Sequence, residues 1–244
     1  MSIASSRWAR WVGLSARLEA RSAAATATTA LPSGVDPCTA LFDVPFAVID
    51  VETTGGSPAT STLTEIAAAT YRGGECLGTF QTLVDPGCGV PPLISLLTGI
   101  TDDMLIGAPP VSCVLPSFLQ FVRGSVLVGH NVSFDLSFLD AALRAEGRGP
   151  LDNTVVDTLA LARRLVRPEV PNCRLRTLAT CLELEHLPSH RALDDVRATA
   201  DLLHRLIERA TGFGVFVLAD LVDLVATPVA GLVGTPGLRP ARVS

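Results

Sequence analysis

Residues 44–56 read VPFAVIDVETTGG. Val44–Val51 is an apolar run of strand length, too short for a helix. Thr53-Thr54-Gly55-Gly56-Ser57-Pro58 then breaks it as a loop. At i, i+2 spacing on a strand, Asp50 and Glu52 emerge from one face. Two like charges at the end of a buried strand repel, and one takes up a proton unless a cation neutralises the pair. Two readings stand on this dyad alone. Either a cation is shared, or one carboxylate bonds loop amides while the other bonds an arginine.

Downstream, Leu63–Tyr71 and Glu75–Val84 read as two more strands, joined by a hairpin turn at Arg72-Gly73-Gly74. The first three strands are therefore expected to form an antiparallel meander. Short helical pieces are expected near 92–106, then a helix over 111–123. Ser125–Gly129 (SVLVG) is a further buried strand, followed by a helix over 133–146. Thr154–Asp157 is a fifth short strand, with helices at 158–166, near 174–184 and over 191–210. Strands first, then strand–helix alternation, predicts an α/β fold: a mixed five-stranded sheet with helices on both faces.

Composition narrows the function classes. The chain has 244 residues, 48% hydrophobic and 18% charged, which is enough to build a packed core. All 19 basic Lys+Arg positions are arginine, so lysine is removed from every catalytic role. A net charge of −5 excludes a broad basic surface that grips duplex nucleic acid by charge alone. The six cysteines are scattered with no C-x-x-C pair, a pattern of reduced thiols, and a cytoplasmic location is expected.

Two further polar clusters follow the dyad. Gly129-His130-Asn131-Val132-Ser133-Phe134-Asp135 leaves the SVLVG strand, and Asp135 opens the next helix. An acid in a first helical turn often only compensates the helix dipole; the preceding His130-Asn131 pair makes capping a harder explanation here. His190-Arg191-Ala192-Leu193-Asp194-Asp195 starts the longest helix. Asp194 and Asp195 point about 100° apart, so at most one aims fully into a shared site. Together these give four carboxylates and one histidine at the ends of two strands and one helix. Oxygen ligands suit Mg²⁺ or Mn²⁺ better than zinc. Two such ions about 3.5–4 Å apart clamp the attacking and leaving oxygens of a phosphoryl displacement, while a neutral histidine accepts the proton of the attacking water.

The ordered set Asp50-Val51-Glu52-Thr53-Thr54-Gly55, His130-Asn131-x-x-Phe134-Asp135 and His190-x-Ala192-x-x-Asp195 resembles the three motifs of the DEDDh (DnaQ-like) 3′→5′ exonucleases. The proofreading epsilon subunit of bacterial DNA polymerase III is their type member. The similarity extends through Leu97-Thr98-Gly99-Ile100-Thr101, Ala108-Pro109 and Val156-Asp157-Thr158-Leu159, covering roughly residues 44–207. It implies an RNase H-like fold and hydrolysis of single-stranded 3′ ends to 5′-mononucleotides with two divalent metal ions, DNA being favoured over RNA. Asp50, Glu52, Asp135 and Asp195 match the metal-binding carboxylates, and His190 matches the general base. Thr54, Gly55 and Ile100 match positions that seat the terminal nucleotide, with Phe134 close by. Asp157 and Asp194 lie outside the implied metal set and are read as structural. Thr98 stands where many relatives carry histidine.

Two rival readings are a zinc site from Cys173, Cys181, His186 and His190, and a catalytically inactive adaptor binding nucleic acid or protein. No standard finger uses the cysteine spacing, and no carboxylate of the metal set is lost. The expected partners are single-stranded nucleic acid 3′ ends and, as an option, a DNA polymerase. The expected organisation is a tail over 1–43, an exonuclease domain over 44–210, and an apolar helix with a flexible tail over 211–244. Trp8, Trp11, Leu14 and Leu18 share one helical face within the first segment. Gly212–Gly234 is apolar, but Asp220, Asp223 and Pro228 interrupt it, so no membrane span is expected.

Overall fold

A computed structural model describes residues 34–226. β1 (Phe46–Thr53) pairs antiparallel with β2 (Leu63–Arg72), and β2 pairs antiparallel with β3 (Glu75–Leu83). β4 (Val126–Gly129) lies parallel to β1 on its other side, and β5 (Val155–Asp157) lies parallel to β4. The strand order β3-β2-β1-β4-β5 is the mixed five-stranded sheet expected from the sequence. The meander turns on Gly73 and Gly74, both in the left-handed region at φ 58° and 81°, the conformation that a tight two-residue hairpin turn requires.

The helices are α1 (Pro92–Thr98), α2 (Asp102–Leu105), α3 (Val111–Val122), α4 (Ser133–Ala145), α5 (Thr158–Leu165), α6 (Leu175–Cys181), α7 (Ala192–Thr211) and α8 (Leu218–Ala226). They cover both faces of the sheet, and the period-2 alternation of β1 sorts its side chains between them. Ala47, Ile49 and Val51 pack with Phe118 and Val122 of α3 and with Phe138 and Leu139 of α4. Phe46 and Val48 pack with Leu161 of α5, Val196 and Leu203 of α7, and Leu218 of α8. By the same parity, Asp50 and Glu52 face the α7 side. β1 pairs with β4 only from Phe46 to Val48, so its acidic end projects beyond its parallel neighbour. Ligand sites in such sheets collect beyond the carboxyl ends of the parallel strands.

Packing continues past both expected domain boundaries. Leu41 and Val44 before the sheet, and Val215, Leu218 and Leu221 after α7, are buried in one cluster with Val48 and Leu203. The two flanks are also tied by backbone: the Leu41 amide donates to the Phe216 carbonyl, and the Leu218 amide donates to the Thr39 carbonyl. The core around Val48 and Leu203 thus takes in side chains on both flanks of the 44–210 segment. Among the described residues, no helix is long and apolar enough to cross a membrane. The helical face expected of Trp8, Trp11, Leu14 and Leu18, and the residues after 226, lie outside the described residues.

Candidate active site

The end of β1, the turn after β4 and the start of α7 meet in one open cleft of about 320 Å³. Its lining includes Asp50, Glu52, Asp135, His190 and Asp195, together with Gly55 and Phe134. Among the described residues, Asp50, Glu52 and Asp195 each bring a carboxylate oxygen within 4.8 Å of the others.

Each side chain is placed by local structure. Gly129 ends β4 where a Cβ would come within 2.8 Å of the Val132 side chain, so only glycine permits the tight turn into α4. That turn buries Asp135 at 4% exposure in the first turn of α4. There its Oδ1 accepts the Val51 amide of β1 at 3.0 Å, on the length of strand that β4 leaves unpaired. Asp195 sits in the first turn of α7 and reaches back: its Oδ1 accepts the Ser189 amide at 2.8 Å and the His190 amide at 3.2 Å. His190 itself is exposed, with its backbone in the left-handed region at φ 61°.

These carboxylates are costly to ionise together. Burial first, and then the charges of Asp135, Asp195, Glu52 and Glu65, raise Asp50 well above the usual carboxylate range. Burial and the same kind of neighbours push Glu52 up to about 8, against a smaller opposing effect of Arg191. Asp135 rises to about 7, burial outweighing the amides bonded to it. Asp195 is raised by burial despite its two amide bonds. A set of oxygen donors carrying this much unrelieved negative charge fits a hard divalent cation, which would replace the protons that the site otherwise holds.

The remaining residues singled out in the sequence fall in different places. Ile100 is fully buried in a small cluster with Val90 and Leu105, and Thr54 is buried with its hydroxyl accepting the Thr62 amide. Neither lines the cleft, whereas Gly55 and Phe134 do. Thr98 closes α1, its hydroxyl donating to the Ile94 carbonyl and accepting the Ile100 amide. Asp157 caps α5 through the Leu159 amide and also accepts the Asn131 amide. Asp194 bonds the Ser189 hydroxyl and pairs with Arg197, its side chain 48% exposed. His130, which capping did not explain, has a structural partner set: Nε2 donates to the Cys173 carbonyl, and Nδ1 lies 3.0 Å from the Thr158 hydroxyl. The zinc string is not assembled: Cys173 is buried, Cys181 is exposed, and His186 bonds Asp201.

Sequence reading passed over Glu65 and Arg191. Glu65 stands opposite Glu52 in the β1–β2 register, is 1% exposed, and forms a two-point ion pair with Arg191. Burial pushes its carboxyl up, but the bonds from Arg191, Gln81 and the Ala192 amide prevail and hold it below its ordinary value. The available signal was a lone acid inside the apolar run LTEIAAAT.

Residues 47–203 match the model of the RNase_T family, described as exonuclease. A Mycobacterium tuberculosis protein described as a bifunctional exonuclease/endonuclease is 46% identical over 188 residues, 74% of this chain and 29% of that protein. The PolC-type DNA polymerase III of Halalkalibacterium halodurans is 43% identical over 171 residues, 70% of this chain and 12% of that protein. The chain therefore spans less than a third of either relative. Among solved structures, exonuclease X in complex with 5′-overhanging duplex DNA has a TM-score of 0.59 at 25% identity, covering 74% of this chain and 99% of that one. Escherichia coli exonuclease I in complex with dT13 has a TM-score of 0.62 at 23% identity, covering 69% and 42%, a likeness of fold.

Proposed function

The chain belongs to the RNase_T exonuclease family, and from that premise we propose that it is a divalent-metal-dependent 3′→5′ exonuclease acting on single-stranded 3′ ends, DNA in preference to RNA, and releasing 5′-mononucleotides. The observation that carries this reading is the convergence of Asp50, Glu52 and Asp195 within 4.8 Å, in the cleft that His190 also lines. The DNA bound in the exonuclease X structure and the DNA polymerase III name of the PolC-type relative favour DNA as the substrate class.

Asp50, Glu52 and Asp195, with Asp135 beside them, would hold two Mg²⁺ or Mn²⁺ ions. Such ions, when bound, lower the pKa of water and offset the charge on the departing 3′-oxygen. His190 then accepts the proton of the attacking water, a role open to an exposed imidazole on a loop at the cleft edge. Asp135 is kept in place by the Val51 amide, and Asp195 by the amides of Ser189 and His190, so the carboxylates are oriented before substrate arrives. Gly55 lets the substrate backbone approach closely. Phe134, packed against Phe138 with ring centroids 5.1 Å apart, offers a face on which a terminal base stacks. Thr54 and Ile100, both buried, stay outside the cleft lining and take no direct part in this seat. No observation favours the inactive adaptor, since every carboxylate of the set and His190 line one cleft.

The deciding experiment uses 3′-labelled and 5′-labelled single-stranded DNA and RNA of equal length. Mononucleotide release from the 3′ label, dependent on Mg²⁺ or Mn²⁺ and abolished by EDTA, is expected. Undiminished release in EDTA overturns the metal reading, and release from the 5′ label first overturns the polarity.

A further inference from the structure

We propose that Glu65 is a positioning residue, which grips Arg191 and Ala192 and thereby fixes the backbone that presents His190 to the cleft. The role assigned to His190 rests on the exonuclease reading; the grip itself is a matter of geometry. Glu65 Oε2 accepts from Arg191 Nε at 3.1 Å and from the Ala192 amide at 3.1 Å. Oε1 accepts from Arg191 Nη2 at 3.0 Å and from Gln81 Nε2 at 2.8 Å. All four donors are consistent with an acceptor, so Glu65 is not free to serve as a fifth metal ligand, and it stands outside the carboxylate group that converges.

The arrangement is unfavourable for stability alone. A buried ion pair often contributes no more than an apolar pair of the same volume, and like charges opposite one another across two strands destabilise a sheet. Glu65 is both buried and opposite Glu52. What the grip does achieve lies in the segment 189–192. Asp195 holds the Ser189 and His190 amides, while Glu65 holds the Arg191 side chain and the Ala192 amide. Four consecutive residues are thus each tied to a carboxylate. The residue at their centre, His190, has φ 61°, a left-handed conformation that disfavours a non-glycine residue and persists when its surroundings impose it. The side chain of Arg191, the residue before α7, makes no capping bond to its own helix, and the Ala192 amide finds its acceptor on β2. Glu65 therefore locks the entry of α7 to the sheet that carries Asp50 and Glu52.

The test compares the full chain with Arg191→Lys and Glu65→Gln. Lysine keeps the charge but lacks the planar fork that makes the two-point contact. In metal-free protein, the Ser189 and His190 amides of Arg191→Lys should exchange with deuterium about tenfold faster or more, the equivalent of one lost charge-assisted hydrogen bond. Amides of β1 and β2 should keep their wild-type rates. On single-stranded DNA with Mn²⁺, kcat should fall about tenfold or more while KM stays within about twofold, the signature of a misplaced catalytic group. Unchanged exchange at residues 189 and 190, or acceleration across the whole sheet in step with a lowered Tm, overturns the proposal. If Glu65→Gln does not fold, Arg191→Lys decides alone. A wild-type chain that cleaves nothing refutes the exonuclease reading, and the exchange measurement still decides the grip.

Discussion

Removing divalent cations should make this protein less stable as the pH rises through neutrality. Burial, followed by the charges of Asp195, Glu65 and Asp135, pushes the Glu52 carboxyl up to about 8. Burial raises Asp135 to about 7. In the unfolded chain both groups ionise near pH 4. The native state therefore holds up to two protons that the unfolded state has released. A raised folded-state pKa contributes stability that is complete below the unfolded value and is lost as pH climbs through the folded value. At roughly 1.4 kcal/mol per retained proton per pH unit, the two groups together lose about 2 kcal/mol between about pH 6 and pH 7. Asp50 and Asp195, also raised, act in the same direction. For a chain of this size, each kcal/mol moves Tm by about 2–4 °C, so a fall of roughly 4–8 °C is expected over that interval. Mn²⁺ or Mg²⁺ should shrink or reverse the slope, because cation ligands bind best when deprotonated. Thermal melts in EDTA and in excess Mn²⁺, from about pH 5 to about pH 8, measure both slopes. A metal-free Tm that is flat or rises over that range refutes the electrostatic account of the cleft.

Asp195→Asn should abolish Mn²⁺-dependent turnover and weaken Mn²⁺ binding measured calorimetrically, whereas Asp194→Asn should do neither, since its side chain is half exposed and bonds Ser189 and Arg197. Equal loss in both would mean that the inward carboxylate is misassigned. His190→Ala should reduce kcat by about 10²–10⁴-fold and leave Mn²⁺ affinity intact; full activity in that variant would remove the base assignment. Ending the chain at Gly212 deprives the core of Val215, Leu218 and Leu221, each buried. At about 1.5–3 kcal/mol for each side chain, Tm should drop by roughly 10 °C or more relative to a chain ending at Ala226. Equal melting points would restore the domain end at 210.

The strand–helix order and the carboxylate set were legible because both are written in short-range pattern. VPFAVIDV is too short and too apolar for anything but a buried strand, and the i, i+2 spacing puts Asp50 and Glu52 on one face whatever surrounds them. The helical repeat likewise separates Asp194 from Asp195, and their exposures differ as that angle requires. What the apolar stretch after residue 212 packs against was not legible: it reads the same whether it meets a partner or its own sheet.

His130 shows the other side of the same limit. His130 lines the cleft, but its two ring partners, Thr158 and Cys173, come from segments 28 and 43 residues away, so no local pattern shows that both ring nitrogens are already engaged. Glu65 is the sharper case, with Arg191 lying 126 residues further along the chain. Sequence by itself determined which residues carry charge, which strand faces they share and which helices they open, because those properties depend on neighbours within one turn or one pleat. Only the tertiary structure decided which carboxylates converge as donors and which one is consumed by an arginine. Burial, mutual repulsion and hydrogen-bond saturation arise between strands and helices that meet only when the chain is folded.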